Sequence, residues 1–229
     1  MSDRSNSQNG EYTTVRKPDY VRSRLREMGF WFVDIPRTSS TSLKLAFYKK
    51  YGKVFGRPSA SQGIGMGLIP PHLPARLLRE QLGGELWESL YSFSIIRNPF
   101  ERALSLFQFL QNNGKLTGWT FGRYVDQLVR PGGFDYHGHY LSNCGYLCDK
   151  DGRLLVKEVF RFEDRDAAMQ TIAERTRCPE LIQAQTKTYA TDSRHYSHYY
   201  DETSRRKIEA YYQDDIERFG YRFEPDPGQ

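Results

Sequence analysis

Two segments about sixty residues apart carry side chains suited to holding anions, each where a short apolar strand pattern gives way to a helical one. The first reads Pro36-Arg-Thr-Ser-Ser-Thr-Ser42. Backbone N–H groups at such a turn lack intrahelical partners, and the helix dipole favours negative charge there. Thr38, Ser39, Ser40, Thr41 and Ser42 add hydroxyl donors, and Arg37 adds a fixed positive fork that matches phosphate oxygens. The second segment places Arg97 at a strand end and Ser105 two turns into the next helix. Alone, each has an ordinary reading: a helix cap rich in hydroxyls, or an ion-paired arginine near a surface serine. Together they point to a ligand carrying two phosphate groups.

Other residues have chemistry to offer and plainer alternatives. His72, in Pro70-Pro-His-Leu-Pro74, has the near-neutral titration a general base needs, or it caps the helix that follows. Glu163 either shapes an acceptor site or starts a helix, and Arg194 either reaches a phosphate or is a surface charge. His137, His139, Cys144 and Cys148 match no structural zinc spacing, so no metal is expected.

The elements that must position these groups follow from periodicity. Phe30 to Ile35 and Tyr91 to Ile96 read as buried strands, with a third over Val156 to Phe162. Helices are expected over Thr41 to Tyr51, Leu73 to Leu82, Phe121 to Val129, Asp164 to Arg175 and Ser204 to Phe219. After the second strand, Asn98 caps a helix with Pro99 in its first turn and Glu101 set for a capping box. Phe100, Ala103, Leu104, Phe107 and Leu110 form the apolar stripe of that helix. Gly52 to Pro74, with five glycines and four prolines, reads as a long loop. Strands alternating with helices predict an α/β fold with a central parallel sheet.

At 229 residues the chain suits one domain, expected over residues 19–229 behind a polar, disordered lead at 1–18. No run approaches the roughly 18 apolar residues of a membrane span. Three cysteines argue against a disulfide framework and suit a reducing, cytoplasmic setting, unless the sequence is a trimmed lumenal domain. The net charge of +5 favours anionic partners.

The two segments resemble the PAPS-dependent sulfotransferases, above all the carbohydrate-type branch called sulfotransferase family 2. There, Pro-Lys-Thr-x-x-Thr-Ser holds the 5′-phosphosulfate, and Arg-(Asn/Asp)-Pro-x-x-Arg-x-x-Ser holds the 3′-phosphate. This chain has Pro36-Arg-Thr-Ser-Ser-Thr-Ser42 and Arg97-Asn-Pro-Phe-Glu-Arg-Ala-Leu-Ser105. The resemblance continues through Phe160-Arg-Phe-Glu-Asp164 to the closing Tyr221. It implies a P-loop-like three-layer fold and PAPS (3′-phosphoadenosine 5′-phosphosulfate) as donor. Residues 36–42 and Arg37 then hold the phosphosulfate, Arg97 and Ser105 the 3′-phosphate, and His72 is the base. The implied acceptor is a saccharide or other small molecule, with neither nucleic acid nor membrane as partner. Arg37 stands where the family usually has lysine. It keeps the charge but cannot serve as an acid. A nucleotide-dependent kinase and a non-catalytic module binding anionic polymers are the competing readings.

Overall fold

The computed structural model of the protein describes residues 14–55, 58–59, 63–64, 67–131, 141–182 and 194–228. His137 and His139 lie outside the described residues. Helix α1 (Pro18–Met28) leads into strand β1 (Phe30–Val33), and helix α2 (Ser40–Tyr51) follows it. A hairpin of β2 (Pro58–Ser59) and β3 (Gly63–Ile64) and two helices, α3 (Ala75–Leu82) and α4 (Gly84–Ser89), precede strand β4 (Tyr91–Ile96). Then come α5 (Pro99–Asn112), α6 (Phe121–Leu128), α7 (Asn143–Leu147), β5 (Glu158–Arg161) and α8 (Arg165–Arg175). Helices α9 (Glu202–Tyr211) and α10 (Gln213–Phe219) come last.

β1, β4 and β5 form one parallel sheet in the order β1-β4-β5, flanked by helices, as the alternating pattern predicts. In its register Phe30 pairs with Tyr91 and Val33 with Ser94, so β1 and β4 end side by side. The continuous apolar character of both strands fits a sheet covered on its faces. The exception proves informative: Ser94, fully buried, donates its hydroxyl to the Val33 carbonyl at 2.8 Å and so cross-links the two strands.

Aromatic rings lock the helix after β1 onto the sheet. Phe30 lies 5.1 Å from Phe47 and 5.2 Å from Tyr51, both on α2. On the neighbouring strand, Phe93 lies 5.4 Å from Phe32 and 6.2 Å from Phe160. α2 buries Leu43, Ala46 and Phe47, the spacing expected of it. A second apolar cluster, built on the Phe100–Leu110 stripe of α5, packs α6, Tyr196, Ile208 and Tyr212. α5 therefore starts at the sheet edge and runs into a helical lobe.

Four differences from the sequence reading have physical causes. Of the lead expected at 1–18, residues 1–13 lie outside the described residues, whereas Val15 is buried and donates its N–H to Gln81 Oε1 at 2.7 Å. The long loop contains a short 3₁₀ turn, Gly52–Val54, and the β2–β3 hairpin. The closing helix, read as one, breaks at Tyr212, which is buried. That break lets Asp215 accept the Asn143 and Cys144 N–H groups at 2.6 and 2.7 Å, a carboxylate on the first turn of α7. Burial pushes the Asp215 carboxyl up, opposed by Arg102 and these donors. The capping box at Asn98 does not form: Glu101 pairs with Arg97, and the Asn98 N–H goes to Glu163 instead. No helix among the described residues is long and apolar enough to cross a membrane.

Phe93 is fully buried at the centre of the ring cluster. Truncating it removes the transfer energy of a large ring and leaves a cavity, so Phe93→Ala should lose about 3–5 kcal/mol. Chemical denaturation with the midpoint followed by fluorescence measures this directly.

Candidate active site

Parallel pairing of β1 and β4 delivers both candidate segments to one sheet edge, and their side chains meet there. Arg37 donates Nε–H to Ser105 Oγ at 3.2 Å. In the reverse direction Arg97 donates to the Arg37 carbonyl at 3.3 Å. Each cation rests on an aromatic plate: Arg37 lies 4.9 Å from the Phe109 ring centre and Arg97 lies 4.3 Å from that of Phe162. Such stacking holds a guanidinium in place while leaving its edge donors for an anion. Arg97 also pairs with Glu101 at 3.1 Å.

The backbone of the first segment is strained where its hydroxyls and N–H groups cluster. Arg37 (φ 70°) and Ser39 (φ 68°) both adopt the left-handed conformation, with Thr38 between them. Conformations of this kind gather successive N–H groups into an anion-binding concavity at the start of α2. Pro36 is buried before them, and the buried Thr38 hydroxyl donates to the Ile35 carbonyl at 2.8 Å, which anchors the turn to β1. Ser40 is buried and Thr41 and Ser42 are half-buried in the first turn of α2. Ser39 caps that helix without a side-chain capping bond.

The second segment is held from behind. Asn98 caps α5 by accepting from the Phe100 N–H at 3.1 Å, as expected, and its amide donates to the Arg222 carbonyl at 3.0 Å. Glu163 accepts the Asn98 N–H at 2.7 Å and the Tyr221 hydroxyl at 3.2 Å. Its place is therefore behind Arg97, tying β4 to the chain end. Burial, with the Glu163 charge beside it, raises the Tyr221 phenol. Arg194 lies over the Tyr199 ring at 4.9 Å and is exposed.

His72 sits beside the C-terminal end of β1. Its Nδ1 is 3.1 Å from the Asp34 carbonyl and 3.2 Å from Asp34 Oδ2, and its own backbone is left-handed (φ 59°). Lys44, on α2, pairs with the same carboxylate oxygen. Burial alone would raise the Asp34 carboxyl, but His72 and Lys44 together outweigh it and hold the group well below the usual carboxylate range. Asp34 and Trp31 line a cavity of about 20 Å³, the size of one water. Asp34, Phe109 and Phe162 were not singled out from the sequence. For Asp34 the available signal was an acid at the end of an apolar strand run, where an unpaired charge is costly.

The family model described as "Sulfotransferase family" matches residues 26–222. No curated protein and no solved structure matches the chain.

A non-glycine residue in the left-handed region costs roughly 1–2 kcal/mol. Ser39→Gly relieves that backbone cost. It should stabilise the protein by about 1 kcal/mol, a rise of roughly 2–4 °C in a thermal unfolding midpoint.

Proposed function

The chain belongs to the sulfotransferase family, and on that premise we propose that it moves a sulfuryl group from PAPS to a hydroxyl of a saccharide or other small molecule. The observation that carries this reading is the pair of contacts by which Arg37 reaches Ser105 and Arg97 reaches Arg37. Two anion-binding turns so joined make one pocket, and a donor with phosphate groups on both sides of its ribose suits it. We read residues 19–229 as a single catalytic domain, with α5 linking its two apolar clusters.

In this scheme the turn at Pro36, Arg37, Thr38, Ser39, Ser40, Thr41 and Ser42 holds the 5′-phosphosulfate. Arg97 and Ser105 take the 3′-phosphate, with Arg194 available from the segment beside Tyr199. The acceptor oxygen attacks sulfur as the bond from sulfur to the 5′-phosphate oxygen breaks, and the electron pair leaves on that phosphate. Arg37 stabilises the charge that develops there. Since a guanidinium does not give up a proton at working pH, the leaving group departs as an anion, not as an acid. His72 takes the proton of the acceptor hydroxyl on Nε2. Glu163 supports the site by fixing Asn98, and positioning with electrostatics supplies most of the rate. The scheme needs no metal.

Binding of adenosine 3′,5′-bisphosphate, with 5′-AMP beside it, tests the reading by calorimetry. The bisphosphate should bind far more tightly. Arg97→Ala removes a charge-assisted contact worth about 1.5–3 kcal/mol and should weaken it roughly 10- to 100-fold, with little effect on 5′-AMP. Equal affinity for the two nucleotides would instead favour a basic module that binds anionic polymers.

A further inference from the structure

We propose that Asp34 is a positioning residue for His72, presenting the ring as a base through Nε2 and stabilising the imidazolium, while Lys44 offsets part of the carboxylate's charge. This deepens the proposed function and rests on its assignment of His72 as the base.

The geometry around Nδ1 sets the tautomer. A carbonyl oxygen can only accept, so the 3.1 Å contact with the Asp34 carbonyl requires hydrogen on Nδ1. In the neutral ring the lone pair then lies on Nε2. The Asp34 carboxylate, 3.2 Å from the same Nδ1, adds negative charge on the side away from Nε2. That charge favours the ring most after Nε2 has taken a proton, which is the state a general base passes through.

Three further features hold the arrangement. His72 keeps a left-handed backbone (φ 59°), a conformation that persists only where the surroundings over-determine it. Pro70, Pro71 and Pro74 restrict the chain on both sides of it. Asp34 itself is only 7% exposed, and the Lys44 ammonium and the His72 ring beside it keep it ionised. Among the described residues, Asp34, just after β1, lies against the ring, and Lys44, on α2, lies across the carboxylate. The proton moves from the acceptor oxygen to Nε2 and later to solvent. Asp34 remains a carboxylate throughout, as the acid of a nucleophile–histidine–carboxylate triad does.

A plain structural reading makes Asp34 the anchor of Lys44 and its contact with His72 incidental. The two readings differ in sign. In the full-length protein labelled with ¹⁵N-histidine, five imidazoles report, and the one missing from His72→Ala is assigned to His72. Asp34→Asn should move that ring's titration midpoint down by about 1 pH unit or more, since an opposite charge at this range is worth 1–3 units. Lys44→Met should move it up. Structural damage would move both variants alike, and if Asp34→Asn does not fold, the upward shift in Lys44→Met alone decides. No shift, or a shift of one sign in both, overturns the proposal.

Transfer assays with PAPS separate this from the base assignment. Asp34→Asn should lower kcat about 10- to 100-fold with the KM for donor unchanged, and the double variant with His72→Ala should be no slower than His72→Ala. Full activity in His72→Ala would end the base reading itself, and with it any catalytic part for Asp34. Lost activity in His72→Ala with an undiminished kcat in Asp34→Asn would end only the positioning role.

Discussion

The parallel pairing of β1 with β4 is the constraint on which the rest of the structure depends. Parallel neighbours end at the same edge of a sheet, and a ligand site in an open α/β fold forms beyond those ends. With Val33 opposite Ser94, the turn that follows β1 and the turn that follows β4 leave the sheet together. The buried Ser94 hydroxyl bonded to the Val33 carbonyl fixes that register at its last pair. A slip of one residue would exchange the two buried faces of a strand and separate Arg37 from Ser105.

Given that edge, the site is a problem of holding like charges close together without a ligand. Arg37 and Arg97 stand on adjacent turns, and the fold accommodates them with local partners. Phe109 and Phe162 lie against the guanidinium faces, and Glu101 neutralises Arg97. Under the proposed function, an incoming phosphate would replace a carboxylate or a hydroxyl partner with little movement of the cations. Preorganisation of this kind is what makes electrostatic stabilisation effective in a reaction with little covalent work for the protein. A similar sharing appears just past the end of β1, where one buried carboxylate serves both Lys44 and His72.

Much of this was legible in the sequence, for identifiable reasons. β4 and the stripe of α5 were readable because both are continuous, strongly periodic and bounded by punctuation, Arg97-Asn98-Pro99. The two turns that meet at the sheet edge were readable because hydroxyls and arginines crowd a strand-to-helix junction. What was not readable is what depends on distant partners. Glu101 looked like a capping residue, yet Glu163, more than sixty residues away, takes that bond. The single helix expected at 204–219 is broken at Tyr212, which packs into the second apolar cluster, while Asp215 beyond the break bonds to α7. Asp34 sat in plain view at the end of a strand, but only the fold brings His72 to it. Local pattern shows where a turn must be. It does not show which side chain from elsewhere completes it.

The central claim is that two turns on one sheet edge grip one donor at two phosphate groups. Its most direct test is sulfuryl transfer to a saccharide acceptor panel from PAPS and, separately, from adenosine 5′-phosphosulfate, which lacks the 3′-phosphate. The account predicts product from PAPS with release of one bisphosphate per sulfate transferred. It also predicts a rate from the truncated donor lower by about 100-fold, the loss of one charged contact pair in the transition state. No transfer from either donor, or equal rates from both, would contradict it.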